Sequence, residues 1–275
     1  MTGCGLLPDS IQAVVFDLDD TLLRDDRTIS DFTIQVMRDI SVHGIKVIPA
    51  SGRTQKSMLP FIDQLGCVSI YIAKNGADIW DNSSGKLLHQ ELFSVSLARE
   101  IAAFGRSYGV YTQTYDNERF YYSVHSHWAD SYAASAMIEG QYVGDLERFI
   151  KEPRNKILMI DDESVISDMY DDASTRFKGR VSVTRSKPFF LEFNPINATK
   201  GNALRIVSDL VGIPMSGIVA FGDSLNDLSM LSAAGLSVAV ANAWPEVIAE
   251  CDDKCLSNND DGVAFYLKEL LLSGE

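Results

Sequence analysis

The chain has 275 residues, which is long for one compact domain and short for three, so we expect one or two domains. Hydrophobic residues make up 46% and charged residues 23%, which predicts a folded protein with a substantial core. The net charge of -14 opposes the attraction that nucleic acid or an anionic membrane would need, so neither is an expected partner.

The four cysteines and the apolar segments favour a cytoplasmic location. The cysteines are few and scattered, unlike the dense framework of a small secreted domain. No opening basic-then-apolar segment resembles a signal peptide, and no apolar run approaches the roughly 20 residues that span a bilayer. We therefore predict a soluble cytoplasmic protein with reduced thiols and without an obligate protein partner.

Strand and helix patterns alternate at the start of the chain. Residues 11–16 form a short apolar run rich in β-branched side chains, which is typical of a strand in a parallel sheet. A helix follows that Ser30 can cap and Gly44 can close. A strand over 46–50, a helix over 55–65 and a strand over 69–73 come next. This alternation predicts a doubly wound α/β sheet.

The same alternation returns near the end of the chain, with a helix over 200–211 and strands over 218–221 and 237–241. Between the two parts the pattern changes to turn-rich segments and a hairpin-like pair of strands around residues 110–124. We predict a core made of residues 1–82 and 190–275, with an α+β cap domain, residues 83–189, inserted between them.

Acidic residues follow the first predicted strand directly, where ligand sites of open α/β sheets tend to lie. The carboxylates of Asp17 and Asp19 repel each other unless a cation bridges them or one holds a proton. Mg²⁺ prefers carboxylate and water oxygens and would relieve that repulsion. In isolation, however, this pattern fits a solvated acidic turn better.

Two further clusters offer donors for a phosphoryl group. Ser51 can donate its hydroxyl, and Gly52 lets backbone approach a ligand closely. Arg53 either attracts an anion or forms a structural ion pair. Lys200 opens a helix, which places an ammonium group beside a positive helix end, although a surface lysine on a capped helix is the alternative.

A third cluster follows the strand over 218–221 and supplies three oxygen-bearing side chains within five residues. Asp223 is a candidate metal ligand, and Asn226 a candidate phosphate donor. Asp227 could hold metal-bound water or orient Lys200. A helix-capping cluster is the alternative.

These residues together resemble the four ordered motifs of the haloacid dehalogenase superfamily of phosphohydrolases. The motifs are Asp17-Leu-Asp-Asp-Thr21, Ser51-Gly-Arg53, Lys200 and Gly222-Asp-Ser-Leu-Asn-Asp227. Further segments, over 75–77, 192–195, 241–243 and 259–263, resemble its Cof-type branch. That resemblance implies a Rossmann-like core and a cap of the type IIB class, where composition already indicates an insert.

The resemblance also implies a role for each motif residue. Asp17 is the expected nucleophile and Asp19 the general acid and then base, with Asp17, the Asp19 carbonyl region and Asp223 holding Mg²⁺. Lys200 is expected to neutralise charge in catalysis. The expected phosphate-binding residues are Leu18, Ser51, Gly52, Lys200 and Asn226. The expected supporting residues are Thr21, Arg53, Asn75 and Asp227.

Two positions depart from the pattern of that branch, since Asp20 stands where glycine is usual and Lys74 where a small residue is common. In the presumed cap, we favour surface or substrate-facing roles for His125 and His127 over metal binding. We interpret Trp128 as part of the cap core rather than as a stacking surface.

The sequence therefore predicts a magnesium-dependent phosphatase that acts on small phosphorylated metabolites, with sugar phosphates as the favoured class, through an aspartyl-phosphate. A phosphomutase of the phosphomannomutase type is the first alternative, because that class shares the cap. A phosphoaspartate receiver module is the second. Release of free phosphate would indicate the phosphatase, and formation of an isomer would indicate the phosphomutase. Stable phosphorylation without turnover would indicate the receiver module.

Overall fold

A computed structural model describes residues 11–116 and 119–272. Cys4 and part of the predicted hairpin turn, residues 117–118, lie outside the described residues. The strands are β1 (Ala13–Phe16), β2 (Lys46–Pro49), β3 (Ile70–Ala73), β4 (Asp78–Asp81), β5 (Lys86–Gln90), β6 (Tyr111–Tyr115), β7 (Phe120–Tyr122), β8 (Gly140–Tyr142), β9 (Ile157–Ile160), β10 (Val181–Thr184), β11 (Phe190–Pro195), β12 (Ile218–Gly222), β13 (Leu236–Ala239) and β14 (Asp253–Lys254). The α-helices are α1 (Asp31–Val42), α2 (Gln55–Leu65), α3 (Val95–Tyr108), α4 (His127–Ala136), α5 (Leu146–Phe149), α6 (Glu163–Arg176), α7 (Lys200–Val211), α8 (Leu228–Leu231), α9 (Pro245–Glu250) and α10 (Gly262–Leu267).

The core sheet is parallel and has the strand order β14-β13-β12-β1-β2. All four residues of β1 are fully buried, so both faces of this central strand are covered. A continuous apolar run is what such a strand requires, because its alternate side chains enter two different layers of core. The predicted doubly wound α/β class is confirmed.

Local capping explains where the core helices begin. The Ser30 hydroxyl accepts a hydrogen bond from the backbone N–H of Thr33 at 3.0 Å, which starts α1. The Thr199 hydroxyl accepts one from the backbone N–H of Asn202 at 3.1 Å, which starts α7. Such side chains satisfy N–H groups that have no partner within the helix. The helices predicted over 55–65 and 200–211 are confirmed.

A second sheet of six strands, in the order β10-β11-β9-β6-β7-β8, forms the α+β part of the chain. Its neighbours pair antiparallel except β7 and β8. The predicted hairpin is present as β6 and β7. Helices α3 and α6 pack on this sheet, with Phe104, Phe177 and Phe193 in edge-on contact between the layers. We call this unit the cap.

Strand pairing at the edges of the cap differs from the segment limits that we predicted. Strand β5 lies within the predicted insert but pairs with β4 in a three-stranded sheet, β3-β4-β5. Strand β11 begins at residue 190, within the predicted core, yet pairs with β9 and β10 of the cap. A strand's partners depend on distant residues, so the domain limits themselves stay a prediction. Within the described part of the chain, every helix is too short or too polar to cross a bilayer.

Candidate active site

The carboxyl ends of β1, β2 and β12 bring the predicted motifs together. Phe16 pairs in register with Phe221, so Asp17 and Asp223 leave neighbouring strands at almost the same height. Ser51 follows β2, which pairs with the other side of β1. Parallel strands place all their carboxyl ends at one edge, and this edge is where a ligand site is expected.

A buried lysine links two carboxylates at this edge. The Nζ atom of Lys200 lies 2.5 Å from Asp17 Oδ1 and 2.6 Å from Asp227 Oδ1, and the lysine is fully buried. Burial by itself lowers the pKa of Lys200, but Asp17 and Asp227 outweigh that effect and hold the pKa above its ordinary value. Lys200 therefore stays cationic beside Asp17.

Asp17 and Asp223 carry more negative charge than this one lysine balances. Burial raises the pKa of Asp17 to about 8, despite the opposing effect of Lys200. Burial, together with Asp227 and Asp17, also raises the pKa of Asp223 well above its usual range. The Thr21 hydroxyl donates to Asp223 at 2.8 Å, which orients that carboxylate. Raised carboxyl pKa values mark a place where an added cation would be favourable.

The donor set fits a hard divalent cation. Asp17, Asp223 and Asp227 each offer a carboxylate oxygen, and these oxygens lie within 4.8 Å of one another. Oxygen ligands of this kind suit Mg²⁺. The Asp227 carboxylate joins the predicted Asp17 and Asp223 in this cluster, and the Asp19 carbonyl region stays a predicted ligand. The Asp227 carboxylate is oriented by the backbone N–H groups of Asp223 and Ser224, each at 3.1 Å.

The Asp19 side chain turns towards two arginines. Arg53 donates to both of its carboxylate oxygens, at 2.7 and 2.8 Å, and Arg27 donates to one of them. Burial alone would raise the pKa of Asp19, but Arg53 and then Arg27 lower it overall. Arg53 was expected in the site, whereas the sequence pattern did not indicate Arg27. Its loop has no motif that reveals the contact.

Two of the predicted phosphate-binding residues, Asn226 and Gly52, lie at the two ends of one hydrogen-bonded network. Asn226 donates to Asn75 at 3.0 Å, and Asn75 donates to Glu192 at 2.6 Å. On the other side of Glu192, Lys156 donates to its carboxylate at 2.8 Å and to the Gly52 carbonyl at 2.9 Å. These side chains are almost completely buried. This hydrogen-bonded network therefore connects the second motif, at Gly52, and the fourth motif, at Asn226, to Lys156 of the cap.

Gly52 has little room for a side chain, because a Cβ atom there would lie 3.0 Å from Asn75 Oδ1. The side chain of Leu18 is fully buried in the core, so only its backbone N–H remains for the predicted role. Lys156 and Glu192 were missed as site residues. Glu192 lies in a segment that resembles the family, but Lys156 lies in the cap, where no local motif marks it.

The two departures from the family pattern have structural counterparts. Asp20 has a φ of +60°, a left-handed conformation that favours glycine, and its carboxylate accepts from Lys187 of the cap at 3.2 Å. Lys74 is fully buried and pairs with Asp78 at 2.9 Å. A long cation is tolerated at position 74 because the carboxylate is buried with it.

A small cavity of about 60 Å³ lies above the carboxylates. Core residues form its floor, and cap residues form its roof. The lining includes Asp17, Asp19, Ser51, Gly52, Arg53, Asn226, Tyr132, Lys156, Lys187 and Phe190. We call it the catalytic cavity. His125 lies elsewhere in the cap, stacked on Tyr142 with ring centroids 4.2 Å apart.

Replacing Gly201 with alanine should destabilise the protein and displace Lys200. A Cβ atom at Gly201 would lie 2.0 Å from the carbonyl oxygen of Ser229, so α7 and α8 would have to separate. Forced overpacking of this kind typically costs about 1–3 kcal/mol. Chemical denaturation should show this loss, whereas the matched Arg205→Ala change on the exposed face of α7 should be nearly neutral. Equal stability of the two variants would contradict the close helix packing.

The fold and the cavity define an α/β enzyme whose candidate active site lies between a parallel core sheet and an inserted cap. A family model described as haloacid dehalogenase-like hydrolase matches residues 14–267. The chain therefore belongs to the haloacid dehalogenase-like hydrolases, and the family predicted from the motifs is confirmed.

Individual relatives agree with this assignment. The 5-amino-6-(5-phospho-D-ribitylamino)uracil phosphatase YcsE of Bacillus subtilis is 27% identical over 95% of this chain and 96% of its own length. The crystal structure of TM0651 from Thermotoga maritima has a TM-score of 0.80 and 32% identity, over 94% of this chain and 97% of that one. The subclass IIB sugar phosphatase BT4131 shares the fold, with a TM-score of 0.82 and 21% identity, over 94% and 98% of the two chains. The family model and the name of the YcsE relative support the predicted enzyme class, a phosphoric monoester hydrolase, and the two solved structures support the fold.

Proposed function

We propose that this protein is a magnesium-dependent phosphatase that hydrolyses phosphomonoesters of small metabolites, with sugar phosphates as the predicted class. The observation that carries the proposal is the position of Asp17, a buried carboxylate between Lys200 and the acidic cluster, at the floor of the catalytic cavity. The relative named as a phosphatase of a phosphorylated ribitylaminouracil supports a small phosphorylated substrate. The predicted cytoplasmic location agrees with such a substrate.

Asp17 is the proposed nucleophile because it lines the cavity at the sheet edge and is held by a neighbouring cation. Its carboxylate oxygen forms a bond to phosphorus while the bond from phosphorus to the alcohol oxygen breaks. Lys200 offsets the added negative charge on this side of the site. Water then attacks the aspartyl-phosphate, which releases phosphate and restores Asp17.

Asp19 is the proposed general acid and base, since its carboxyl lines the same cavity two residues from Asp17. It donates a proton to the departing alcohol and then takes one from the attacking water. In the structure this carboxylate is bound by Arg53 and Arg27. At least one of these ion pairs must loosen before Asp19 can carry a proton. The anionic substrate competes for the same guanidinium groups.

The side chains that would hold Mg²⁺ are those of Asp17, Asp223 and Asp227. The carbonyl region of Asp19 is a further proposed ligand. The ion, when bound, supplies positive charge that lets an anionic carboxylate and an anionic phosphoryl group approach each other. The proposed hydrogen-bond donors to the phosphoryl group are the side chains of Ser51 and Asn226 and the backbone N–H groups near Leu18 and Gly52. Three neighbouring side chains orient these groups. Thr21 orients Asp223. Asn75 orients Asn226, and Asp227 orients Lys200.

Removing divalent cations should abolish release of free phosphate from a phosphomonoester, and adding Mg²⁺ should restore it. Asp223→Asn weakens one ligand, so it should raise the Mg²⁺ concentration for half-maximal activity by at least about tenfold, since loss of a residue that merely orients a ligand already costs about 10–100-fold. The matched Asp209→Asn change on the exposed face of α7 should leave that concentration unaltered. Full activity in excess chelator would contradict the proposal, and an isomerised ester without free phosphate would favour the phosphomutase.

A further inference from the structure

A second cavity, of about 220 Å³, adjoins the catalytic cavity. The two share five lining residues, Arg27, Tyr132, Ser135, Lys187 and Phe190. The remaining walls of the second cavity are Trp128, Ser131, Ile160 and Phe189. We call it the aromatic cavity. Because the two cavities share these walls, the aromatic cavity lies within reach of the alcohol part of a phosphomonoester bound in the catalytic cavity.

Three aromatic side chains of the cap build its walls as a continuous array. Trp128 and Phe189 are stacked, with ring centroids 5.8 Å apart and planes 17° from parallel. Phe189 meets Phe190 edge-on, with centroids 4.9 Å apart. All three rings are only partly buried. Trp128 thus packs against the cap core, as we predicted, but it also leaves aromatic surface exposed to the cavity.

Charge is confined to the boundary between the two cavities. Arg27 is paired with Asp19, and Lys187 with Asp20 at 3.2 Å. Beyond them, the walls offer aromatic surface, Ile160 and two serine hydroxyls one helical turn apart on α4. Hydroxyl groups can donate to or accept from ring nitrogens and carbonyls. Such walls suit a flat, uncharged group with a few polar edge atoms.

We infer that the aromatic cavity binds a planar aromatic ring carried by the alcohol part of the substrate. This inference rests on the proposed phosphatase function and narrows its substrate class to phosphomonoesters with such a ring, including sugar phosphates whose sugar carries one. Aromatic faces and edges attract another π system. A bare polyhydroxy chain would instead leave hydroxyl groups unpaired against Phe189 and Ile160, which is unfavourable.

Matched substrates test the inference with the unaltered protein. Uridine 5′-monophosphate and ribose 5-phosphate share the phosphorylated ribose, and flavin mononucleotide and ribitol 5-phosphate share the phosphorylated ribityl chain. Within at least one pair, the ring-bearing ester should have a kcat/KM about tenfold higher, which is the size of one aromatic contact. Equal values in both pairs, or higher values for both ring-free esters, would overturn the inference.

Variants then assign the preference to the aromatic cavity. Trp128→Leu and Phe189→Leu keep an apolar side chain but remove one ring, so each should raise KM for the preferred ring-bearing ester about tenfold and leave its ring-free partner nearly unchanged. Tyr142→Leu is the matched control, because this half-exposed ring of the cap lies outside the cavity. Thermal unfolding of each variant checks that the cap remains folded.

The outcomes separate this inference from the proposed function. If no ester releases phosphate, the phosphatase proposal fails and the inference fails with it. If phosphate is released and both Leu variants lose activity equally on ring-bearing and ring-free esters, the phosphatase stands and the ring site is wrong. If one variant does not fold, the other variant and the matched substrate pairs still decide the question.

Discussion

Replacing Asp17 with asparagine should lower turnover by more than about 10⁴-fold for every phosphomonoester offered, including activated ones. An amide keeps the shape of the side chain but cannot form an acyl phosphate. Because the proposed chemistry passes through this one oxygen, the quality of the leaving group should not rescue the variant. Steady-state phosphate release with a sugar phosphate and with para-nitrophenyl phosphate measures the loss.

The fold should survive this change, which keeps the interpretation simple. The Asp17→Asn substitution would remove one of three clustered negative charges, while Lys200 would keep its contact with Asp227 at 2.6 Å. Relieving buried charge of this kind is often neutral or stabilising. Asp63→Asn, on the exposed face of α2, makes the same chemical change away from the site and should retain full activity. Substantial turnover by Asp17→Asn would remove Asp17 as the nucleophile.

Asp19→Asn should give a different pattern, because it removes the proposed proton donor and leaves the nucleophile. With a sugar phosphate, whose alcohol is a poor leaving group, the rate should fall by about 10²–10⁴-fold. With para-nitrophenyl phosphate, the departing phenolate needs little protonation, so phosphorylation of Asp17 should persist. The aspartyl-phosphate should then accumulate, since no base activates the attacking water.

Rapid mixing measures this accumulation directly. The Asp19→Asn protein should release nearly one equivalent of nitrophenol in a burst and carry an acid-stable, hydroxylamine-labile phosphoryl label on Asp17. The Asp63→Asn control should show ordinary turnover without retained label. Label on Asp19 in the unaltered protein, or a burst that persists in Asp17→Asn, would reverse the assignment of the two aspartates.

Arg53 and Arg27 give the Asp19 variant a second, structural readout. Both guanidinium groups bind the Asp19 carboxylate, and the side chain of Arg53 is buried. The Asp19→Asn substitution would leave Arg53 with its hydrogen bond to Ser57 at 2.8 Å but without the carboxylate that pairs with it directly. Some loss of stability is therefore expected, and denaturation should accompany the kinetic measurements so that lost chemistry is not confused with lost folding.

Much of the core and of the candidate site could be predicted from the sequence because the information is local. The apolar run before Asp17 predicts a strand buried on both faces, and Ser30 and Thr199 cap the helices that follow them. Parallel strands end at one edge, so motifs that each follow a strand must converge there. Asp17 and Asp223 lie together for that reason, whereas Lys200 reaches Asp17 from the start of α7.

The tertiary structure decided what depends on contacts between distant segments. It placed Asp227, rather than the Asp19 side chain, beside Asp17 and Asp223, and it turned Asp19 towards Arg27 and Arg53. These arrangements follow from how loops and strands far apart in the chain pack, which no local periodicity or motif encodes.

The cap shows most clearly the difference between what local sequence predicts and what tertiary contacts determine. Its mixture of helices and strands is marked by the sequence pattern. Trp128, Phe189 and Phe190, however, form a cavity wall only because α4 and the start of β11 meet beside the catalytic cavity. The sequence by itself therefore determined the α/β core and the family, and it predicts the chemistry of the strand-end motifs. Only the tertiary structure reveals the aromatic cavity proposed to bind the alcohol part of the substrate, because side chains from separate elements must pack together to form it.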